Sequence, residues 1–450
     1  MLPGAVTTKP ESAAAPGFRG PRDLTIPDEG STAARDVLSA AMRRALAELR
    51  RFSARPTIPG DSRAEHAAFA HTVDALFTAP GLAASLVRRP TIGTLLRCLR
   101  KPQTIERDLA LTRALRAQLA FELACLDALP TPIELGSLPD QVLSIPANLA
   151  LRFPTDVTAV RFGSGRVTLI TSRGEETHTI NAWTAGDERP GFVERPYRVI
   201  TPGLHLALAD NNPLQMFEAH PDKLGNAIDL GGQTDDAWCA TLRAALDLVA
   251  AHLPTLRAEI DLFLHLVVPV GYDDHKHLSA SYQEAIGAIY LTLHPNLMTM
   301  TEAVIHEFSH NKLNALVELD PVLENGFWPL YTSPVRPDPR PLHGVLLAVH
   351  AFQPVARLYE RMTAAGHPRA QSPDFQRRFA QIRSINHAGA DVVLSHGRPT
   401  TIGRSLLDEM RRWDDYYGDQ ESPDASGITP DTAPPLHEGL LGLEPGARWP

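Results

Sequence analysis

Two histidines four residues apart constrain this chain more than any other feature of its sequence. They are His306 and His310, in the segment VIHEFSHNKLNAL at residues 304–316. Apolar residues recur around them at helical spacing, which predicts a helix that begins near Met298 or Thr299. Residues four apart lie one above the other on a helix, so both imidazoles can point at one metal ion.

Glu307 completes an H-E-x-x-H pattern with these two histidines. In zinc peptidases that carry the pattern, the histidines bind the metal and the glutamate is the general base. In a metal enzyme that does not hydrolyse its substrate, the glutamate would instead orient a ligand or a bound water. Peptide hydrolysis and a different metal-dependent reaction therefore remain as alternatives. Thr299 or Thr301 is the predicted N-cap of the helix.

A catalytic metal site usually has three protein ligands, so a third donor is expected outside the motif. The metzincin pattern is absent, because Leu313 and Leu316 stand where its glycine and third histidine would be. His350 lies in the apolar helical stretch VLLAVHAF and is our first candidate, with a core histidine as the alternative. The other downstream candidates are Glu318, Asp320, Glu324, Asp338 and His343.

Two arginines lie in a proline-rich segment between the motif and His350. The segment is SPVRPDPRP, and it holds Arg336 and Arg340. A guanidinium can bind a carboxylate through two parallel hydrogen bonds, so either arginine is suited to a carboxylate-bearing cosubstrate beside the metal. Ion pairs with Asp338 or other local acids are the alternative.

Composition excludes several classes of protein. The chain has 450 residues and a formal net charge of -9, which argues against a nucleic-acid-binding surface. No apolar stretch is long enough to cross a bilayer, and the N-terminus lacks the apolar run of a signal peptide. The three cysteines are far apart and are predicted to be buried reduced thiols. We therefore expect a soluble, cytoplasmic protein.

Local composition and hydrophobic periodicity divide the chain into five regions. Residues 1–30 are predicted to be a disordered arm, and residues 31–135 a helical N-terminal region. β-Branched residues around a GSGR turn predict a β-hairpin or meander within residues 136–235. Residues 236–417 form the predicted metal-binding catalytic region, and residues 418–450 a disordered tail.

Three segments in order resemble the HEXXH-motif peptide-modification proteins found beside genes for ribosomally made peptide natural products. They are SASYQEAIGAIYLTLHP, HEFSHNKLNAL and SPVRPDPRPLHGVLLAVHAFQPVA, within about residues 265–362. The resemblance implies Fe(II)- and 2-oxoglutarate-dependent β-hydroxylation of a residue in a precursor peptide, with O₂ as oxidant. The alternative function is a zinc metallopeptidase, in which zinc replaces iron.

The resemblance also implies roles for particular residues. His306 and His310 would be the first two iron ligands and His350 the third, with Glu307 orienting a ligand or a bound water. We expect an α+β, mainly helical fold, in which a helical N-terminal region packs on a zincin-like metal-binding core with a small sheet. The strand AIGAIYLTLH, at residues 285–294, is the predicted edge of that sheet, where an extended peptide could add as a further strand.

Overall fold

The structure is a computed structural model, and it describes residues 20–101, 104–180, 183, 192–217, 225–275, 277–334 and 339–419. The fold is α+β and mainly helical, as predicted, with eleven α-helices among the described residues. Several small sheets accompany the helices.

Five helices form the N-terminal region. They are α1 (Ala33–Ala54), α2 (Arg63–Leu76), α3 (Pro80–Arg88), α4 (Pro90–Cys98) and α5 (Ile105–Cys125). Proline begins both α3 and α4, where its missing N–H costs no helical hydrogen bond. Ser62 and Thr104 cap α2 and α5 through their side-chain oxygens.

The predicted disordered arm is wrong over residues 20–30. Leu24, Thr25 and Ile26 are buried. The Glu409 carboxylate accepts hydrogen bonds from the backbone N–H groups of Thr25 and Ile26, and Lys312 Nζ donates to the Thr25 carbonyl. These long-range contacts fix a segment whose own sequence carries no helical or strand periodicity. Residues 1–19 of the predicted arm lie outside the described residues.

Two small antiparallel sheets follow the N-terminal helices. The first has the order β1–β4–β5–β6, with β1 (Ile133–Leu135), β4 (Val157–Gly163), β5 (Arg166–Thr171) and β6 (Gly174–Thr179). The predicted hairpin is present, since β4 and β5 pair across the GSGR turn. The second sheet joins β2 (Gln141–Ser144), β3 (Leu149–Arg152) and β7 (Val193–Glu194).

A five-stranded mixed sheet supports the H-E-x-x-H segment. Its order is β11–β12–β10–β9–β8, where β9, β10 and β12 are parallel and both edge strands are antiparallel to their neighbours. The strands are β8 (Tyr197–Thr201), β9 (Leu204–Ala207), β10 (Leu266–Tyr272), β11 (Ser279–Ala280) and β12 (Ala288–Leu293).

The predicted edge strand is therefore wrong. The strand before the metal helix, β12, is interior, because β11 pairs with its outer side through Ser279 opposite Leu291. All six residues of β12 are buried, as expected of a strand covered on both faces. The edge is instead the two-residue strand β11, which is too short to be recognised from local sequence.

The remaining helices lie in the second half of the chain. They are α6 (Asp235–His252), α7 (Pro254–Phe263), α8 (Leu297–Val317), α9 (Leu342–Ala364), α10 (Pro373–His396) and α11 (Thr401–Gly418). The short strands β13 (Leu330–Tyr331) and β14 (Arg340–Pro341) pair with each other before α9. Helix α8 packs against α1, α6, α7, α9 and β12, which places the H-E-x-x-H segment at the centre of the molecule. Most of the predicted tail lies outside the described residues.

No helix in the described part of the chain combines the length and apolar character needed to cross a membrane. Among the described residues, no disulfide joins the three cysteines, and two of them, Cys98 and Cys239, are buried. Burial raises the pKa of the Cys98 thiol to about 12.

Candidate metal centre

The helix that carries the motif starts one turn after β12. Its N-cap is Asn296, whose side-chain oxygen accepts hydrogen bonds from the N–H groups of Met298 (2.8 Å) and Thr299 (3.4 Å). The predicted caps are therefore wrong. The backbone N–H of Thr299 donates to the Asn296 side chain, and Thr301 Oγ1 donates to the Leu297 carbonyl within the first turn. Asparagine caps a helix as well as threonine does, so local propensity does not distinguish Asn296 from Thr299 and Thr301.

Helix α8 is buried on all sides rather than along one stripe. Its residues from Met300 to Leu316 are all buried, and a helix buried all round is typical of the centre of a large domain. The polar residues of the motif therefore lie in a low-dielectric interior, where each needs a partner or a ligand.

His306 and His310 lie as their spacing predicts. They are 1% and 7% exposed, and their ring centroids are 4.3 Å apart at an interplanar angle of 82°. With Glu307, 1% exposed, they form a group whose possible ligand atoms all lie within 4.8 Å of one another. This is the one such group of histidine, cysteine or acidic residues that the described ranges contain.

The electrostatic environment keeps the His306 ring neutral. Burial, followed by the nearby imidazoles of His310 and His277, lowers the pKa of His306 well below its usual value. A neutral imidazole is the form that binds a metal ion. Neither ring nitrogen of His306 has a hydrogen-bond partner among the described residues, although both are buried. These two orphaned nitrogens fit a metal ligand better than a packed core residue.

Two serines at the edge of the sheet hold the Glu307 carboxylate. Ser279 Oγ donates to Oε1 at 2.7 Å, and Ser281 Oγ donates to Oε2 at 2.6 Å. Ser279 belongs to β11 and Ser281 follows it directly, so the edge of the sheet is tied to the motif. Both carboxylate oxygens of Glu307 therefore face the edge strand.

Asn311 fixes the same helix to the start of β12. Its Oδ1 accepts a hydrogen bond of 2.6 Å from the Gly287 N–H, and its Nδ2 donates to the Ala288 carbonyl at 3.1 Å. Gly287 has a φ of +97°, a conformation that disfavours any side chain. Sequence analysis gave Asn311 no role, because a buried amide bonded to a distant backbone has no local signature.

His350 approaches the motif from α9 and is completely buried. Burial, then the charges of Lys312 and His310, lower the pKa of His350 well below its usual value. Neither of its ring nitrogens has a hydrogen-bond partner among the described residues. Its nitrogens nevertheless lie outside the compact group of His306, Glu307 and His310. The structure therefore brings His350 near the pair without bringing it into ligand spacing.

The other downstream candidates have structural partners. Glu318 forms ion pairs with Arg97 (2.9 Å) and Arg100 (2.6 Å). Asp320 Oδ1 accepts hydrogen bonds from Thr400 Oγ1 and the Val322 N–H.

Two further candidates lie beyond Asp320. His343 packs against Phe327 at 5.3 Å, and burial lowers its pKa to about 4. The backbone N–H of Glu324 donates to the Arg398 carbonyl. Asp338 lies outside the described residues.

The arginines expected to bind a cosubstrate are only partly described. Arg336 lies outside the described residues. Arg340 is 3% exposed and pairs with Tyr331 in the β13–β14 ladder, directly before α9. Arg340 is not among the described charged groups that lower the pKa of His350. Arg357, a further residue of α9, instead pairs with Glu360 at 2.7 Å.

Sequence analysis missed a buried polar cluster one turn before His306. Glu302 forms an ion pair of 2.6 Å with Arg378 of α10 and also accepts a hydrogen bond from the Tyr359 hydroxyl. Arg378 is one of the charges that lower the pKa of His306. The position of Glu302, four residues before His306, indicated a shared helix face, but nothing local indicated its partners on α9 and α10.

Comparisons with known proteins identify no relative. A scan of protein-family models finds no family that matches this chain. A search of curated proteins likewise finds no significant match.

Proposed function

We propose that this protein is an Fe(II)- and 2-oxoglutarate-dependent hydroxylase that acts on a β-carbon of a residue in a ribosomally made precursor peptide. The observation that carries the proposal is the attachment of Glu307 to Ser279 and Ser281. A general base must have an oxygen within hydrogen-bond reach of the water it deprotonates. Each oxygen of Glu307 accepts one hydroxyl hydrogen bond from the edge-strand side, which fixes the carboxylate, and each carboxylate oxygen has a further lone pair. We take the fixed carboxylate as support for a positioning role of Glu307.

His306 and His310 would hold the metal. They are buried and one helical turn apart, and imidazole nitrogens suit Fe(II) as well as Zn²⁺. Two buried histidines, His350 and His277, stand next to this pair as candidates for the third ligand, and the resemblance implies His350. When bound, iron would supply the oxidising chemistry: one atom of O₂ enters the peptide C–H bond, and the other converts 2-oxoglutarate into succinate with loss of CO₂.

The chain's own residues would orient the cosubstrate and exclude water. The distal carboxylate of 2-oxoglutarate needs a cation, and Arg340, with Arg336, is the proposed partner. Arg340 is buried at the start of α9, where proline residues on both sides restrict its backbone. Phe352 packs against the His306 ring at 4.8 Å and keeps that side of the site apolar.

The peptide would lie along the edge of the five-stranded sheet. The Leu278 carbonyl accepts a hydrogen bond from the Thr292 N–H, so Leu278 and Thr292 form a hydrogen-bonded pair of the β11–β12 ladder. In an antiparallel ladder the next residue, Ser279, then directs its N–H and C=O away from β12. A peptide that adds to the edge as a further strand would pair with such outward-facing backbone groups. The same residue holds Glu307, which supports a peptide position beside the motif.

Reconstitution tests the proposal directly. The metal-free protein is loaded anaerobically with Fe(II), and 2-oxoglutarate, air and candidate precursor peptides are then added. We expect the peptide to gain one oxygen atom with an equivalent of succinate, and we expect neither product from His306→Ala. Absence of any 2-oxoglutarate dependence with every candidate peptide would exclude the hydroxylase.

A zinc metallopeptidase is the second candidate function. The compact spacing of His306, Glu307 and His310 favours it, because a peptidase requires the same three residues. The same reconstitution with Zn²⁺ separates the two functions, since a peptidase would release peptide fragments without 2-oxoglutarate.

A further inference from the structure

A third buried imidazole lies on the sheet side of the metal centre. His277 lies two positions before Ser279, the first residue of β11, and is 1% exposed. Two residues earlier, the side chain of His275 is 88% exposed. Two histidines so close in sequence therefore have opposite environments, and only the inner one faces the core.

The strand geometry directs His277 toward α8. The Leu278 carbonyl accepts hydrogen bonds from Thr292 N–H (3.0 Å) and Thr292 Oγ1 (2.7 Å), so pairing with β12 continues one residue beyond β11. Side chains alternate between the two faces of a strand, which puts His277 on the same face as Ser279. That face contacts α8, because Ser279 bonds to Glu307.

The direction of the strands fixes which turn of α8 His277 meets. The start of β12 lies beside Asn311, and its end lies beside Met300, whose sulfur accepts a hydrogen bond from the His294 N–H. Because β11 is antiparallel to β12, a step from Ser279 back to His277 moves toward the start of α8. Along α8, this movement leads from the level of Glu307 to the preceding turn, which contains His306. Consistent with this placement, His277 is the second of the imidazoles that lower the pKa of His306.

We propose that His277 supplies the third ligand of the metal held by His306 and His310, so that the ion joins the metal helix to the edge strand. This inference rests on the metal site of the proposed function and is independent of the oxygenase chemistry. The nitrogens of His277 lie outside the compact group within 4.8 Å, so ligation requires rotation of its side chain. The neighbouring Ser279 is bonded to Glu307 of α8, which holds this part of the edge strand against the helix.

The surroundings of His350 make it the weaker donor. Lys312 is completely buried and is the foremost charge acting on His350. A fixed ammonium repels a divalent cation in a low-dielectric interior, although the ion pair of Lys312 with Glu259 reduces that effect.

Titration of the metal-free protein with Co²⁺ tests the assignment without any substrate. Cobalt is the probe because its visible absorption reports the number and type of ligands, and the isolated full chain is used throughout. We expect one Co²⁺ per wild-type chain. His277→Ala and His277→Gln should weaken Co²⁺ binding by more than about 100-fold, the upper range for residues that only support a ligand, and should change the absorption bands. His275→Ala, the matched control, should behave as wild type.

The outcomes distinguish this inference from the proposed function. If wild type binds Co²⁺ and both His277 variants bind it with the same affinity and spectrum, His277 is not a ligand and the inference fails alone. If wild type binds no Co²⁺, the metal centre itself is wrong and both proposals fail. Thermal unfolding followed by circular dichroism identifies a variant that fails to fold, and His277→Gln retains the side-chain volume needed for that comparison.

Discussion

Ser281 Oγ lies 2.6 Å from Glu307 Oε2, and this hydrogen bond ties the end of the edge strand to the metal helix. Ser279 holds the other carboxylate oxygen at 2.7 Å. The glutamate of the motif thereby connects the metal helix to the edge strand along which, under the proposed function, a peptide would add. Its role is testable separately from that of the histidines.

Removing one serine should destabilise the protein. Ser279→Ala leaves a buried carboxylate oxygen without its hydroxyl donor, and a bond to a charged group contributes about 1.5–3 kcal/mol. We expect the free energy of unfolding in urea to fall by about that amount. Ser395→Ala, an exposed helical serine, is the control and should change it by less than about 0.5 kcal/mol. Equal stability of the two variants would show that the Ser279 bond contributes nothing.

Glu307→Gln separates the two candidate functions. Loss of a general base should reduce peptidase turnover by about 100- to 10,000-fold. A hydroxylase should bind its metal normally and lose no more than about 100-fold, the usual effect of a residue that only orients the ligands. Metal content and product formation, measured on the same preparation, decide between them. Abolished hydroxylation with normal metal content would contradict the positioning role.

His306→Ala and His310→Ala should each remove the metal and the activity together. The remaining donors cannot compete with buffer and water for a divalent ion. Elemental analysis after dialysis measures this directly, with His396→Ala on the distant end of α10 as the histidine control. Stoichiometric metal in either motif variant would overturn the site.

Arg340→Ala should keep its metal and require more 2-oxoglutarate. Losing a buried bidentate contact to a carboxylate costs about 2–5 kcal/mol. At about 1.4 kcal/mol per tenfold, the half-saturating concentration should rise about thirtyfold or more. Arg357→Ala, in the helix α9 that follows Arg340 but paired with Glu360, is the control. An unchanged cosubstrate requirement in Arg340→Ala would restrict this arginine to a structural role.

Acid should destabilise the fold through buried neutral histidines. Burial lowers the pKa of His265 from 6.5 to about 3, so between these values the unfolded chain binds a proton that the folded chain does not. The free energy of unfolding therefore falls as pH drops through this window, by up to about 1.4 kcal/mol per pH unit for one histidine. His265→Gln should reduce that slope in urea unfolding measured from pH 7 to pH 4. An identical slope in the variant would contradict the assignment.

Local sequence was sufficient for the parts of this protein that depend on short-range periodicity. The motif helix and the hairpin around GSGR follow from residues within one element. The same holds for His306 and His310, since a four-residue spacing on a helix fixes their relative positions whatever surrounds the helix.

Tertiary structure decided everything that depends on a distant partner. The edge of the sheet is β11 rather than β12, the segment near Thr25 is held by Glu409, and Glu307 is bonded to Ser279 and Ser281. None of these pairs is close enough in sequence to leave a periodic signal. Each arises because a buried polar group must find a partner wherever the packed chain places one, and packing is a property of the whole fold.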